Sequence, residues 1–222
     1  MSEKRFTPAL AYAALTPLYD PVLRLLTREL VWRSAVLRHL DARAGERILD
    51  VGCGTASLLL QLASQCADLE LHGIDPDEAV LAIAQRKAQQ AGATVVLHRG
   101  FVSPAQCASL GRFSKVVSTL VLHQTPLAEK RNILQSMYQL LDGGGRLCIA
   151  DYGQQRSWVM KALFRCTVQL LDGYRDTQPN AEGCLPQLMA SLGFVDIDEV
   201  EVVASATGTI SIYTARKPKA VS

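Results

Sequence analysis

Apolar residues along this chain gather in short unbroken runs separated by segments of helical period. RILDVG, LELHGID, TVVLHRG, KVVSTLVL and GRLCIADY are runs of strand length. Between them, TASLLLQLAS, DEAVLAIAQRKAQQAG and LAEKRNILQSMYQLL are long enough for helices, and the last aligns Ile133, Leu134, Met137, Leu140 and Leu141 in one stripe. Near-continuous apolar strands alternating with helices predict a parallel sheet covered on both faces. Towards the C-terminus the period changes to two. GFVDIDEVEVV and GTISIYTARK alternate on either side of Ser205–Thr207, which predicts a hairpin and an antiparallel strand in the sheet.

Two stretches fall outside this rhythm. Residues 21–40 place Leu23, Leu26, Leu30, Leu37 and Leu40 at helical spacing, and residues 157–172 read as one amphipathic helix. Open parallel sheets bind ligands beyond the carboxyl ends of their strands, so both stretches are placed to act as lids. The expected organisation is one domain: an N-terminal helical cap (1–44), a core (45–151), a lid and substrate segment (152–182), and a C-terminal helix with the hairpin (183–222).

A chain of 222 residues, 49% apolar and 20% charged, suits one globular domain. Its net charge of +2 provides no general attraction for nucleic acid. No run approaches the ~18 consecutive apolar residues of a membrane span, and no signal-peptide pattern opens the chain, so the cytoplasm is the expected location. The basic residues Arg24 and Arg28 on the first helix leave a transient contact with a membrane surface open. Six cysteines without a CxxC pair read as reduced thiols rather than a metal site.

The chemistry concentrates in ILDVGCGTAS (48–57). A strand ending in Gly52-Cys53-Gly54 and opening a helix suits a nucleotide-like ligand, but Ser57 stands where the dinucleotide fingerprint has its third glycine. Asp50 would repel a pyrophosphate and attract an ammonium or sulfonium. An adenosine compound with a cationic amino-acid end, S-adenosylmethionine, satisfies both observations. Asp75, ending the second strand, is positioned to accept hydrogen bonds from ribose hydroxyls, and Asp77 and Glu78 read as a helix start.

With LHGIDPDEAVLAIAQRKA, FSKVVSTLVLHQTP, LLDGGGRLCIADYG and LMASLGFVDID following in order, the chain resembles the class I S-adenosylmethionine-dependent methyltransferases. It is similar to their ubiquinone/menaquinone-biosynthesis branch over roughly residues 46–200. The resemblance implies a Rossmann-like α/β fold: a seven-stranded, mostly parallel sheet with its last strand antiparallel, helices on both faces, and the N-terminal helices and an inserted helix as lid. It implies S-adenosylmethionine as cofactor, S-adenosylhomocysteine as product, no metal, and a small acceptor. By the same resemblance Asp50, Gly52, Cys53 and Gly54 would line the methionine end, with Tyr19 near its carboxylate and Ser118 and Thr119 near its amine. Asp75 and Pro76 would hold the ribose. Where the family commonly has glycine-aspartate, this chain has Gly100-Phe101, so Phe101 and Val102 would meet the adenine.

His123 is the candidate general base, because an ordinary imidazole titrates near neutrality. Asp151 ends the fifth strand on the ligand side. Trp158, Tyr174 and Arg175 are candidate substrate contacts, and the apolar lid residues favour a lipophilic or aromatic acceptor. Two alternatives stay open. One is a nicotinamide-dependent oxidoreductase, for which Tyr213 and Lys217 have the Y-x-x-x-K spacing but fall in a strand. The other is a domain that binds the cofactor without catalysis.

Overall fold

The computed structural model describes residues 25–219. Seven strands form one sheet in the order β3-β2-β1-β4-β5-β7-β6. They are β1 (Arg47–Val51), β2 (Glu70–Asp75), β3 (Val95–Arg99), β4 (Phe113–Thr119), β5 (Leu141–Tyr152), β6 (Val195–Ser205) and β7 (Gly208–Arg216). β1 to β5 pair in parallel, and β7 runs antiparallel to both β5 and β6. The predicted sheet and hairpin are present, with the turn between Ser205 and Gly208.

The strands are apolar on both sides because both sides are covered. Ile48, Val117, Cys148, Ala150 and Ile212 face one core with Trp32, Ala35, Val36 and Leu40 of α1 (Glu29–Leu40) and Leu58, Leu59 and Leu62 of α2 (Ser57–Gln65). Their neighbours Leu49, Val116, Leu147, Ile149 and Tyr213 face the other. That second core includes Leu134, Met137 and Leu140 of α5 (Leu127–Leu140) and Leu185 and Met189 of α9 (Cys184–Ser191). The period of two is thus retained inside runs that look uniformly greasy. α3 (Glu78–Gln90) starts at Asp77, whose Oδ1 accepts from the amides of Ala79 and Val80 at 2.9 and 3.3 Å, the helix-start role expected for that acid.

Several expectations need correction. The run KVVSTLVL is not all strand: β4 stops at Thr119, Leu120 turns at φ 55°, and a 3-10 turn covers Leu122–Gln124. Residues 157–172 are two helices, α6 (Trp158–Cys166) and α7 (Val168–Asp172), broken at Thr167, whose Oγ1 donates to Leu163 O at 2.7 Å. The buried face of α1 is Trp32, Ala35, Val36 and Leu40, while Leu30 is 78% exposed. The helices α4 (Pro104–Leu110) and α8 (Tyr174–Ala181) have no counterpart in the sequence reading. α8 carries Pro179 in its interior, which removes one backbone donor from a helix of only eight residues. Tyr19, Leu23 and Arg24 lie outside the described residues.

Candidate active site

β1 leads into a tight turn. The Gly52 and Cys53 amides both donate to Ile74 O at the end of β2, at 2.8 and 3.2 Å, and the Gly54 amide donates to Asp75 Oδ2 at 3.0 Å. Gly52 adopts φ 75°, and a Cβ there would strike the Val121 side chain, so both conformation and space require glycine. The Cys53 thiol points away from the turn towards Gly73, where an added Cβ would come within 2.7 Å of Sγ. Burial, reinforced by the Asp50 and Asp75 carboxylates, holds that thiol protonated, so Cys53 offers the site its backbone only.

The turn and the first turns of α1 enclose a cavity of about 190 Å³, lined by Glu29, Trp32, Arg33, Asp50, Gly54 and Thr119 among others. Asp50 is 1% exposed, and its Oδ1 has no hydrogen-bond partner among the described residues. Burial pushes its carboxyl up to about 7, with Arg33 opposing and Asp75 adding to the rise. The Trp32 indole Nε1–H, on the same cavity wall, is also buried without a hydrogen-bond partner there. Among the described residues the cavity wall therefore presents an acceptor, Asp50 Oδ1, and a donor, Trp32 Nε1–H, without a hydrogen-bond partner. Glu29 and Arg33 pair along α1 at 2.6 Å, and the Arg33 guanidinium lies 5.3 Å from the Trp32 ring centre.

Asp75 closes the adjoining side. Its Oδ1 accepts from the Asp77 amide across Pro76 at 2.9 Å, and burial raises its pKa against that bond and the one from Gly54. Each carboxylate oxygen keeps acceptor capacity for a further donor. Beyond β3, Phe101 is 44% exposed while the Val102 side chain belongs to the core.

The ends of β4 and β5 are arranged differently. Ser118 Oγ donates to Val51 O at 2.8 Å, tying β4 to β1. Asp151 accepts from the amides of Leu122 (2.6 Å), His123 (3.3 Å) and Tyr152 (2.8 Å), and its Oδ1 meets His123 Nδ1 at 2.7 Å. His123 Nε2 lies 3.5 Å from Asp172 Oδ2 at the end of α7. Burial opposes the imidazolium, but the two carboxylates outweigh it and bring His123 up to about 9. Beneath the same turn, the buried Lys130 ammonium shares its three N–H donors among four carbonyls within reach: Leu122 O, Thr125 O (2.7 Å), Asp176 O (2.9 Å) and His123 O (3.2 Å). Tyr152 packs its ring edge-on to His123, and its hydroxyl bonds Thr207 Oγ1 at 2.8 Å.

The methyltransferase-domain family model matches residues 48–145, which run from β1 into β5 and carry the glycine turn. This segment is a class I methyltransferase domain. The chain is 31% identical over 145 residues to the demethylmenaquinone methyltransferase of Thermus thermophilus, an alignment covering 64% of each chain. It is also 31% identical over 139 residues to a carboxy-S-adenosyl-L-methionine synthase of Campylobacter lari, covering 63% of this chain and 55% of that one. The chain thus spans slightly less than two thirds of the first relative and about half of the second. Among solved structures, magnesium protoporphyrin IX methyltransferase from Synechocystis with bound SAH superposes with a TM-score of 0.64 at 21% identity. That match covers 86% of this chain and 84% of the other, and it concerns the fold alone.

Within the methyltransferase domain, the sequence-predicted Asp50, Gly52, Cys53, Gly54 and Thr119 line one cavity. Asp75 is joined to them through the Gly54 amide. His123 and Asp151 are brought together, but as a closed pair. Trp158, Tyr174 and Arg175 are exposed on α6 and α8. Tyr213 and Lys217 do not converge: the tyrosine is buried in the second core, and Lys217 Nζ donates to Leu141 O at 2.7 Å. Sequence reasoning missed Trp32, Arg33 and Lys130. Trp32 had a usable signal, a lone large aromatic in an otherwise aliphatic helix. Lys130 had none, since lysine in a helix usually faces solvent.

Proposed function

We propose that this protein transfers a methyl group from S-adenosylmethionine to a small lipophilic or aromatic acceptor. The observation carrying this reading is that Asp50 Oδ1 and Trp32 Nε1, both buried at the glycine turn, have no hydrogen-bond partner among the described residues. Leaving a buried polar atom unpaired costs about 1–3 kcal/mol. A zwitterionic amino-acid end answers both, with an ammonium for Asp50 and a carboxylate for Trp32 Nε1–H and the Arg33 guanidinium. The residues present therefore fit the cofactor. Asp75 would take the ribose hydroxyls, and Phe101 offers an apolar face to the adenine. A diphosphate suits neither a carboxylate at Asp50 nor Ser57 in the turn.

When bound, the cofactor supplies an electrophilic methyl group. The chain's own contribution is to orient the reactants and exclude water, which in favourable systems lowers a barrier by about 7–11 kcal/mol. His123 is not the proton acceptor in this reading, because both ring nitrogens face carboxylates and the ring is already protonated at neutral pH. Asp151 acts as the anchor of the turn after β4, and Trp158, Tyr174 and Arg175 remain available to contact an acceptor from the lid side. An acceptor whose nucleophilic atom loses its proton readily to solvent fits a site without a base.

Calorimetric titration with S-adenosylmethionine, S-adenosylhomocysteine and NAD+ tests the cofactor. Incubation with methyl-labelled cofactor and separated lipid and polar extracts tests the acceptor. Uptake of the first two ligands and label in the lipid fraction are expected. Binding of NAD+ with no uptake of the sulfonium compound would overturn the reading.

A further inference from the structure

The molecule has one face that the methyl-transfer reading does not use. From residue 154 to residue 171 the chain contains Arg156, Lys161 and Arg165 and no acidic residue. Arg156 is paired with Glu199, whereas Lys161 and Arg165 are exposed and form no ion pair among the described residues. On α6 the spacing of Trp158, Lys161 and Arg165 puts them on one stripe, and all three are exposed, while Phe164, beside that stripe, is buried against the core. Trp158 is 80% exposed, and Leu170 on α7 is 78% exposed. The first acid after this stretch, Asp172, is turned inward towards His123, and the exposed Tyr174 and Arg175 follow.

The β6–β7 turn connects this face to the N-terminal segment. Thr167 Oγ1, between α6 and α7, donates to Thr207 O at 3.3 Å, and the Ala206 amide donates to Leu26 O at 3.0 Å. Leu25, another 78% exposed residue, therefore flanks the same turn. Tyr152 at the carboxyl end of β5 also reaches this turn through Thr207, so the face lies at the ligand edge of the sheet. Exposed Trp and Leu interleaved with unpaired Lys and Arg are the composition of a segment lying in a membrane interface: the apolar groups enter the headgroup boundary and the cations meet anionic lipid. No helix among the described residues is long and apolar enough to cross a membrane.

We propose that α6, α7 and the start of α8 dock this protein on the surface of a bilayer containing anionic lipids. The occupant follows from charge complementarity: residues 154–171 carry basic and no acidic side chains around protruding apolar ones, and the next acid, Asp172, is directed at His123. The docking goes beyond the catalytic reading and does not require it. If both hold, a lipophilic acceptor would enter from the membrane side.

Co-sedimentation of the full chain, without cofactor, with vesicles of phosphatidylcholine alone or mixed with phosphatidylglycerol tests the proposal. Binding is expected to the mixed vesicles at low salt, weakening as salt rises, with Trp158 emission quenched by brominated lipid in a Trp32→Phe background. Lys161→Gln with Arg165→Gln should weaken binding about thirtyfold, since each basic residue near such a surface contributes about one fivefold factor. Lys161 and Arg165 are exposed, so the double variant should keep the melting temperature of its parent. Absence of binding to the mixed vesicles, or equal binding by the double variant, would overturn the proposal. So would a dimer in sedimentation analysis that Trp158→Ala dissolves, because the face would then belong to a second copy.

Discussion

Asp50 and Asp151 hold matching places in the sheet. Each is the penultimate residue of a parallel strand, β1 and β5, and each is 1% exposed. Their surroundings differ completely. Asp151 accepts three backbone amides and faces the His123 ring, while Asp50 Oδ1 has no hydrogen-bond partner among the described residues. A buried carboxylate with all its partners supplied by the chain is scaffold, and one left short is poised for a cation from outside. Among the described residues the carboxylate at the end of β5 is fully partnered and the one at the end of β1 is not.

Four measurements would break or sharpen that contrast. The largest effect is expected at Lys130. Lys130→Met removes the ammonium that joins the turn after β4 to α8 and leaves buried carbonyls unanswered, so urea unfolding should report a loss of about 3–5 kcal/mol. If the loss is below 1 kcal/mol, this region is not self-supporting.

Asp50→Asn should act in the opposite sense on stability. The folded Asp50 carboxyl lies near 7, above its ordinary 3.8. Its contribution to stability is therefore complete below pH 3.8 and falls away as pH rises through 7. The asparagine variant should lose that decline in a pH series of melting temperatures and be the more stable apoprotein at pH 7. It should also bind S-adenosylmethionine on the order of a hundredfold more weakly, about 2.7 kcal/mol. In the natural protein, affinity should strengthen as pH rises through 7, because the bound cation favours the ionised acid.

His123 supplies the reverse pH signature. Its folded value near 9 lies above the ordinary 6.5, so its contribution is full below pH 6.5 and fades through about 9. His123→Gln should cost about 2 kcal/mol at pH 6 and flatten the profile across that window. A methyl-transfer rate in His123→Gln that stays within tenfold of the natural protein, once fold is controlled by circular dichroism, is the expected catalytic outcome. Smallest is Trp32→Phe, which removes the N–H together with the five-membered part of the indole. Cofactor affinity should fall about tenfold, roughly 1.4 kcal/mol, while the volume lost from the first core should lower apoprotein stability by about 1 kcal/mol in urea unfolding.

Much of the contrast was legible from the residues, but unevenly. The sheet was readable because buried parallel strands are near-continuous apolar runs, and the glycine turn because Gly52 and Asp50 carry a steric and an electrostatic requirement in adjacent positions. Asp151 and Asp50 looked alike in sequence, since nothing local says that Asp151 collects amides from a turn about thirty residues upstream. The reading of residues 157–172 as one helix failed because Thr167 can satisfy its hydroxyl through Leu163 O, a choice settled by tertiary packing against Thr207 rather than by propensity. The α1 stripe was read correctly at Leu37 and Leu40, which pack on the first core, but not at Leu30, which is exposed. Leucine spacing suggested one face, but the helix buries the one holding Trp32 and two small residues that let it lie close to the sheet.

The depth of Lys130 gives the molecule an internal clock. An amine with no exposed surface cannot meet an acylating reagent until the turn after β4 and helix α8 separate, whereas Lys161 is open to it at once. The interval between labelling at these two positions is therefore a reading, on one polypeptide and with no engineered probe, of how often the carboxyl edge of the sheet comes apart.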